Sequence, residues 1–270
     1  MGNLCTQTLV TGLFGAIDTL SPQALGKGEY NEVGYLAIRG VICSVLLLVP
    51  INIILIMYLK DILIALGEDE EASNYANEWY NIFVWSLPFS ILYGSLCKFC
   101  TVQRIMKPVI IVSLLSTILI APTLHLCCHW WGFIGTAIAY VINWICQAMF
   151  LLGYVCYKKP HDKRTWPIEE DGGYKSLIRK SMFDTVNLKL FVSLGLGGVI
   201  AQSEWVFWEA LGLIVGKLGI IAMSVHTIPN QIVMNVSTIP IAFGIARTYV
   251  ILCMPYAYFH LFSVSTVFVL

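Results

Sequence analysis

The chain has 270 residues, of which 58% are hydrophobic and 12% are charged, and its formal net charge is zero. Soluble domains carry about 25% charged residues, so this composition excludes an ordinary water-soluble globule and predicts an all-α polytopic membrane protein. A net charge of zero gives no positive field that would attract nucleic acid, so no nucleic-acid partner is expected. The lipid bilayer is the expected partner.

Stretches almost free of Asp, Glu, Lys and Arg recur at about the 20 residues that a helix needs to cross a bilayer. A front part, residues 1–157, is predicted to hold five spans, and a back part, residues 190–247, is predicted to hold two. Residues 158–189 are rich in Pro, Gly and charged residues and are predicted to form a connecting loop. Residues 248–270 are a further hydrophobic tail. The predicted spans are 8–26 (the weakest, because it contains Asp18), 41–59, 79–97, 108–127, 133–157, 190–216 and 218–246.

Basic residues alternate between the connections. The loop near residues 98–107 and the 158–189 connector are rich in Lys and Arg, whereas the loops on the other side are acidic or uncharged. Because basic loops stay in the cytoplasm, we expect the amino terminus outside and the connector inside. The protein is expected to be an integral multi-pass protein of the plasma membrane or an internal membrane.

Two glutamates interrupt the apolar run GGVIAQSEWVFWEALGLIVG, residues 197–216. An ionisable residue at the centre of a membrane helix costs roughly 2.5 to 3.5 kcal/mol on insertion scales. Such acids usually face a bundle interior or an aqueous cavity and mark an ion or proton path. Glu204 and Glu209 are therefore the candidate proton- and cation-coupling residues, although interhelical hydrogen bonding is the alternative.

Three aromatic residues accompany these acids, and we predict that they bind substrate: Trp205, Phe207 and Trp208. Trp205 precedes Glu209 by four residues and Trp208 follows Glu204 by four, so each acid has an indole on its own helix face. An aromatic wall beside a carboxylate suits a lipophilic organic cation. The alternative is that the tryptophans only pack.

Two further ionisable residues lie in predicted spans. Asp18, in GAIDTLSPQALGKG, is a candidate proton site, or it bonds to local backbone with Thr19 and Gln23. His226 is a candidate proton relay or a packed polar residue.

No metal site or cofactor is expected. His125, Cys128 and His129 cluster at a span end, and Cys97 and Cys100 form C-x-x-C, but neither group has enough partners for a zinc site. No Walker A, dinucleotide-binding or hydrolase-elbow pattern occurs, so we expect a protein that is not an enzyme.

Several segments together resemble the multidrug and toxic compound extrusion (MATE) family. GAIDTLSPQALGKG is similar to its second-helix signature, GFIGTAIAYVINWICQ to the start of its sixth helix, QSEWVFWEALGLIVGKLG to its seventh and SVHTIPNQIVMNVSTIPIAFGIA to its eighth. The resemblance implies a partial MATE-type helical bundle, with five front-lobe spans and two or three of the second lobe. It also implies proton- or sodium-coupled antiport of organic cations or xenobiotics, with the family's acids at Glu204, Glu209 and Asp18.

Family members have twelve helices, so the resemblance implies a chain truncated at both ends. After Arg247, the segment TYVILCMPYAYFHLFSVSTVFVL departs from the family pattern. A non-transporting fragment is therefore the first alternative function. A seven-span receptor is the second, although the Asp-Arg-Tyr and Asn-Pro-x-x-Tyr motifs of such receptors are missing at the expected places. Oligomeric state is not predicted.

Overall fold

The structure is a computed structural model that describes residues 6–67, 69–160, 163–165 and 185–252. Within the last range, several side chains lie outside the description, including those of Glu204, Trp205 and Glu209. Most of the predicted 158–189 connector and of the predicted 248–270 tail also lies outside the described residues.

The described backbone is helical nearly throughout. The α-helices are α1 (Thr8–Lys27), α2 (Tyr30–Ala65), α3 (Glu70–Phe83), α4 (Leu87–Val102), α5 (Met106–Trp131), α6 (Ile134–Lys158), α7 (Thr185–Ala201), α8 (Ser203–Gly216) and α9 (Ile220–Leu252). Short 3₁₀ turns occur at Val84–Ser86 and Lys163–Thr165.

Four segments of the described chain are long and apolar enough to cross a membrane: α2, the α3–α4 pair, α5 and α6. Helix α1 is outside this set, in agreement with its weaker apolar character and its internal Asp18. Most of the exposed side chains of α5 are large and apolar, as expected of a helix that faces lipid, among them Ile110, Ile111, Leu114 and Ile118. The protein is thus an all-α, multi-pass membrane protein.

Two breaks in the helices follow from local sequence. Pro88 lacks a backbone N–H, and its ring clashes with the carbonyl group four residues earlier, at Val84. The chain accordingly forms a 3₁₀ turn at Val84–Ser86 between α3 and α4. Helix α1 ends at Gly28, which adopts φ +82° and closes the end of the helix through bonds from its N–H to the carbonyls of Ala24 and Leu25.

Helix α1 is the central element of the described bundle, since it packs against α2, α4, α7 and α9. Its contact with α7 is a close approach of two backbones. A Cβ atom added at Gly12 would lie 2.6 Å from the Val199 Cα, and one added at Gly198 would lie 2.2 Å from the Gly12 carbonyl oxygen. Glycines at this crossing let the two helices approach closely, as small residues do in many membrane bundles.

Candidate functional site

The segment predicted as one span over residues 190–216 consists of two helices, because the chain turns at Gln202 between α7 and α8. The Gln202 N–H donates to the carbonyls of Gly198 and Val199 at 3.1 Å each. Glu204 therefore lies in the first turn of α8 rather than midway along one helix. The positive end of a helix dipole favours a carboxylate at such a position.

The two glutamates lie five residues apart on α8, about 7.5 Å along the axis and about 140° around it. Phe207 and Ile214 mark the exposed side of this helix, with 61% and 62% of their surface accessible. The backbone position of Glu209 is almost opposite that exposed side. Leu211 and Val215 follow Glu204 by seven and eleven residues and therefore lie on the same side of the helix as Glu204. Both Leu211 and Val215 are half-buried. Glu209 thus occupies a helix position away from the most exposed side, whereas Glu204 lies within one turn of the exposed Phe207 and Trp208.

The aromatic residues predicted to bind substrate occupy different sides of α8. Phe207 and Trp208 contact each other edge to face, with ring centroids 6.1 Å apart and planes at 74°. Trp208 is 38% exposed and lies one turn from Glu204 on the same side of the helix. Phe207 follows Glu204 by three residues, so the helix places both described rings within one turn of the Glu204 position.

Asp18 forms an ion pair that neither alternative from the sequence included. Lys98 Nζ on α4 donates to Asp18 Oδ2 at 2.6 Å, and each side chain is about a quarter exposed, 24% for Lys98 and 25% for Asp18. The neighbouring Thr19 hydroxyl donates instead to the Gly15 carbonyl, at 3.0 Å. The pair joins α1 to α4 in the predicted cytoplasmic half.

A second charged pair lies at the same end of the bundle. Arg39 is only 1% exposed, and its guanidinium donates to Glu32 Oε1 at 3.2 Å within α2. The sequence pattern places Lys98 in the basic loop near residues 98–107, but Lys98 lies inside α4, and Arg39 lies inside α2. The sequence feature that could have predicted the pairing of Lys98 was Asp18, because an acid within an apolar helix needs a counter-charge from a neighbouring span.

Helix α9 packs against both α8 and α1 and carries His226. The Nε2 atom of His226 is shielded from solvent and has no hydrogen-bond partner among the described residues. Cys97 and Cys100 lie on α4, and His125, Cys128 and His129 lie near the end of α5. No group of three or more His, Cys, Asp or Glu side chains in the described part of the chain is placed to hold a metal ion.

Comparison with known proteins finds similarity to one family of transporters. The MatE family model matches residues 3–126. The chain is 27% identical over 252 residues to Multidrug and toxin extrusion protein 2 of Oryctolagus cuniculus, covering 90% of this chain and 39% of the relative. It is 26% identical over 245 residues to Multidrug and toxin extrusion protein 1 of Homo sapiens, covering 88% of this chain and 40% of that protein.

The fold agrees with this relationship. The crystal structure of the eukaryotic MATE transporter AtDTX14 superposes with a TM-score of 0.68 at 22% identity, covering 80% of this chain and 46% of that one. The chain spans about 40% of the length of the curated relatives that it matches. The chain is thus similar to MATE transporters in sequence, and its described helices resemble part of a MATE-type bundle.

Proposed function

We propose that the protein is a secondary active transporter in which a proton or sodium ion and an organic cation compete for Glu204 and Glu209. The observation that carries the proposal is the presence of both acids on one helix of a membrane-embedded bundle, with Glu209 at a position away from the most exposed side of that helix. The relatives named multidrug and toxin extrusion proteins support transport of this general kind.

The exchange follows from the chemistry of a carboxyl group in a poorly hydrated place. A protonated carboxyl is neutral and tolerates such surroundings, whereas a carboxylate there needs a cation. An arriving organic cation supplies that charge and displaces the proton. The same group then loses the cation when it is protonated again on the other side of the membrane.

The surroundings of Glu204 favour a lipophilic, monovalent cation. The Trp208 ring lies one helical turn away and is partly accessible. A cation over an aromatic face gains about 0.5 to 2 kcal/mol, with the larger values at desolvated sites. A strongly hydrated inorganic divalent ion would forgo that contact, and no cluster of acids for such an ion occurs among the described residues.

The test is transport by the full chain in proteoliposomes, with ethidium as the cation. A pH gradient and a sodium gradient are imposed separately, so that the coupling ion is identified. One of the two gradients is expected to drive ethidium across the membrane. Glu204→Gln and Glu209→Gln are each expected to reduce that transport to the level of empty liposomes, because glutamine cannot exchange a proton.

A matched control is Glu78→Gln, which changes an exposed acid on α3. This variant should transport as the parent does. If Glu204→Gln is incorporated into the liposomes to the same level as the parent and transports ethidium as fast as the parent does, the proposed mechanism is wrong. Correct insertion of the parent with no transport under either gradient would instead support the non-transporting alternative.

A further inference from the structure

A lysine that directly follows α8 ties the α8–α9 turn to the end of α2. The ammonium group of Lys217 donates to the carbonyl oxygen of Leu66, the residue that follows α2. A Cβ atom added at Gly67 would lie 3.1 Å from Lys217 Nζ and 3.7 Å from Lys217 Cε, so the lysine also lies over the next residue. The contact joins two positions that are 151 residues apart in the sequence.

The end of α2 is a suitable acceptor for a cation. The last carbonyl groups of a helix have no partner within the helix, and the aligned peptide dipoles make this end negative. A lysine at such an end can bond to these carbonyls and interacts favourably with the dipole. The last turn of α2 contains no basic residue of its own. Lys217 therefore supplies from another part of the chain the cation that this helix end lacks.

The α8–α9 turn presents Lys217 from a backbone that is bonded to the end of α8. The N–H groups of residues 217–219 donate to the carbonyls three positions earlier, at 2.9 to 3.3 Å. Among the described helices, α8 and α9 pack against each other, and α9 also packs against α1. Lys217 thus adds a connection from this pair of helices to α2.

The connection lies at one end of the helix that carries both candidate acids. Glu209 precedes the end of α8 at Gly216 by seven residues, which is about 10.5 Å along the axis. The alternation of basic loops predicts that this end of α8 and the end of α2 both lie outside. Lys217 therefore holds the predicted outer end of the acid-bearing helix against the front part of the chain.

The contact is of a kind that can break and re-form. Lys217 and Leu66 are both exposed, so water competes for the ammonium group and for the carbonyl. Exposed charged contacts are weak for this reason. Elements that open and close during function are drawn from such weakly held parts of a structure.

We propose that Lys217 is a latch that holds the predicted outer end of α8 closed against α2 and releases when the acids become accessible from that side. On release, the Lys217 ammonium exchanges the Leu66 carbonyl for water, and the α8–α9 turn moves away from α2. This proposal rests on the proposed function, and it adds a closing contact to the site.

Cross-linking between two introduced cysteines measures the latch without transport. In the full chain with its native cysteines replaced by alanine, Leu66→Cys and Leu218→Cys place a thiol on each side of the latch and leave Lys217 and the carbonyl of residue 66 in place. The rate of cross-linking by a short bismaleimide is normalised to the reaction of each cysteine with a monofunctional maleimide. Lys217→Gln should lower this rate about two- to fivefold, as expected for an exposed charged contact.

Two control variants separate the latch from a general effect of charge. Lys217→Arg keeps a cationic donor and should cross-link as fast as the parent. Lys27→Gln removes an exposed lysine at the end of α1 and should also leave the rate unchanged. Equal cross-linking rates in the parent and Lys217→Gln would overturn the latch.

Transport by the cross-linked protein tests whether the latch must open. In proteoliposomes, the bismaleimide should reduce gradient-driven ethidium transport by the two-cysteine variant to the level of empty liposomes. The monofunctional maleimide should leave that transport in place. Transport at the same rate before and after cross-linking would overturn the proposal. If the protein transports under neither gradient before cross-linking, the proposed function fails, and the cross-linking rates alone decide whether Lys217 holds the two ends together.

Discussion

At the residue scale, the Asp18–Lys98 pair shows how the fold satisfies an acid that the sequence leaves isolated. The two residues are 80 positions apart, and only the packing of α1 on α4 brings them to 2.6 Å. The sequence therefore predicts that Asp18 matters but cannot supply its partner. A proton-site role for Asp18 stays a prediction, and any such role must include the release of Lys98.

Replacing Lys98 with methionine should destabilise the protein, because it removes the cation that lies 2.6 Å from the Asp18 carboxylate. Removing one member of a fully buried pair costs about 3 to 5 kcal/mol, and the quarter exposure of this pair reduces that cost. Thermal unfolding in detergent measures the loss, and Asp18→Asn combined with Lys98→Met should recover part of it.

The exposed Lys60–Glu70 pair is the control for this prediction. Its atoms are 3.2 Å apart and its side chains are 38% and 73% exposed. Lys60→Met should therefore change stability by less than about 1 kcal/mol. Equal effects of Lys60→Met and Lys98→Met would refute a special role for the pair between α1 and α4.

At the element scale, the long apolar helices follow from hydropathy, whereas their breaks and crossings do not. Pro88 carries a local signal for the turn at Val84–Ser86. The turn at Gln202 has no comparable signal, since neither Pro nor Gly stands there. A single span over residues 190–216 was therefore the natural expectation, and the first-turn position of Glu204 emerges only from the structure.

The crossing of α1 and α7 gives the prediction at this scale. Gly12→Ala should destabilise the bundle by about 1 to 3 kcal/mol, the usual cost of overpacking, because its Cβ would meet the Val199 backbone. Gly153→Ala on α6 is the control, since nothing lies within 4 Å of a Cβ added there. That change should be neutral or stabilising by up to about 1 kcal/mol. Unfolding temperatures in detergent compare the two, and an unchanged value for Gly12→Ala would argue against the close crossing.

At the scale of the whole molecule, composition alone was sufficient to predict a multi-pass helical protein. The fold comparison and the four apolar segments confirm the class. Which helices meet could not be predicted, because large apolar residues occur both in the core and on the exposed faces. The predicted division at the connector and the inside–outside orientation stay predictions.

Cysteine labelling in oriented vesicles tests that orientation. Cys156 is exposed near the end of α6, and Asn74 is exposed near the start of α3. A variant whose sole cysteine is Cys156 should react with an impermeant maleimide from the cytoplasmic side. A variant whose sole cysteine replaces Asn74 should react from the opposite side. Labelling of both from one side would contradict the alternating pattern of basic loops.

Proton release on cation binding is the most direct measurement of the central claim. Ethidium is added to the purified full-length protein in weakly buffered detergent solution with a pH-indicator dye. If Glu204 and Glu209 exchange a proton for the cation, protons should appear in proportion to the ethidium bound. In Glu204→Gln combined with Glu209→Gln, neither the release nor tight binding should remain. Saturable ethidium binding by the parent with no proton release, at any pH and in the absence of sodium, would contradict proton exchange at these acids.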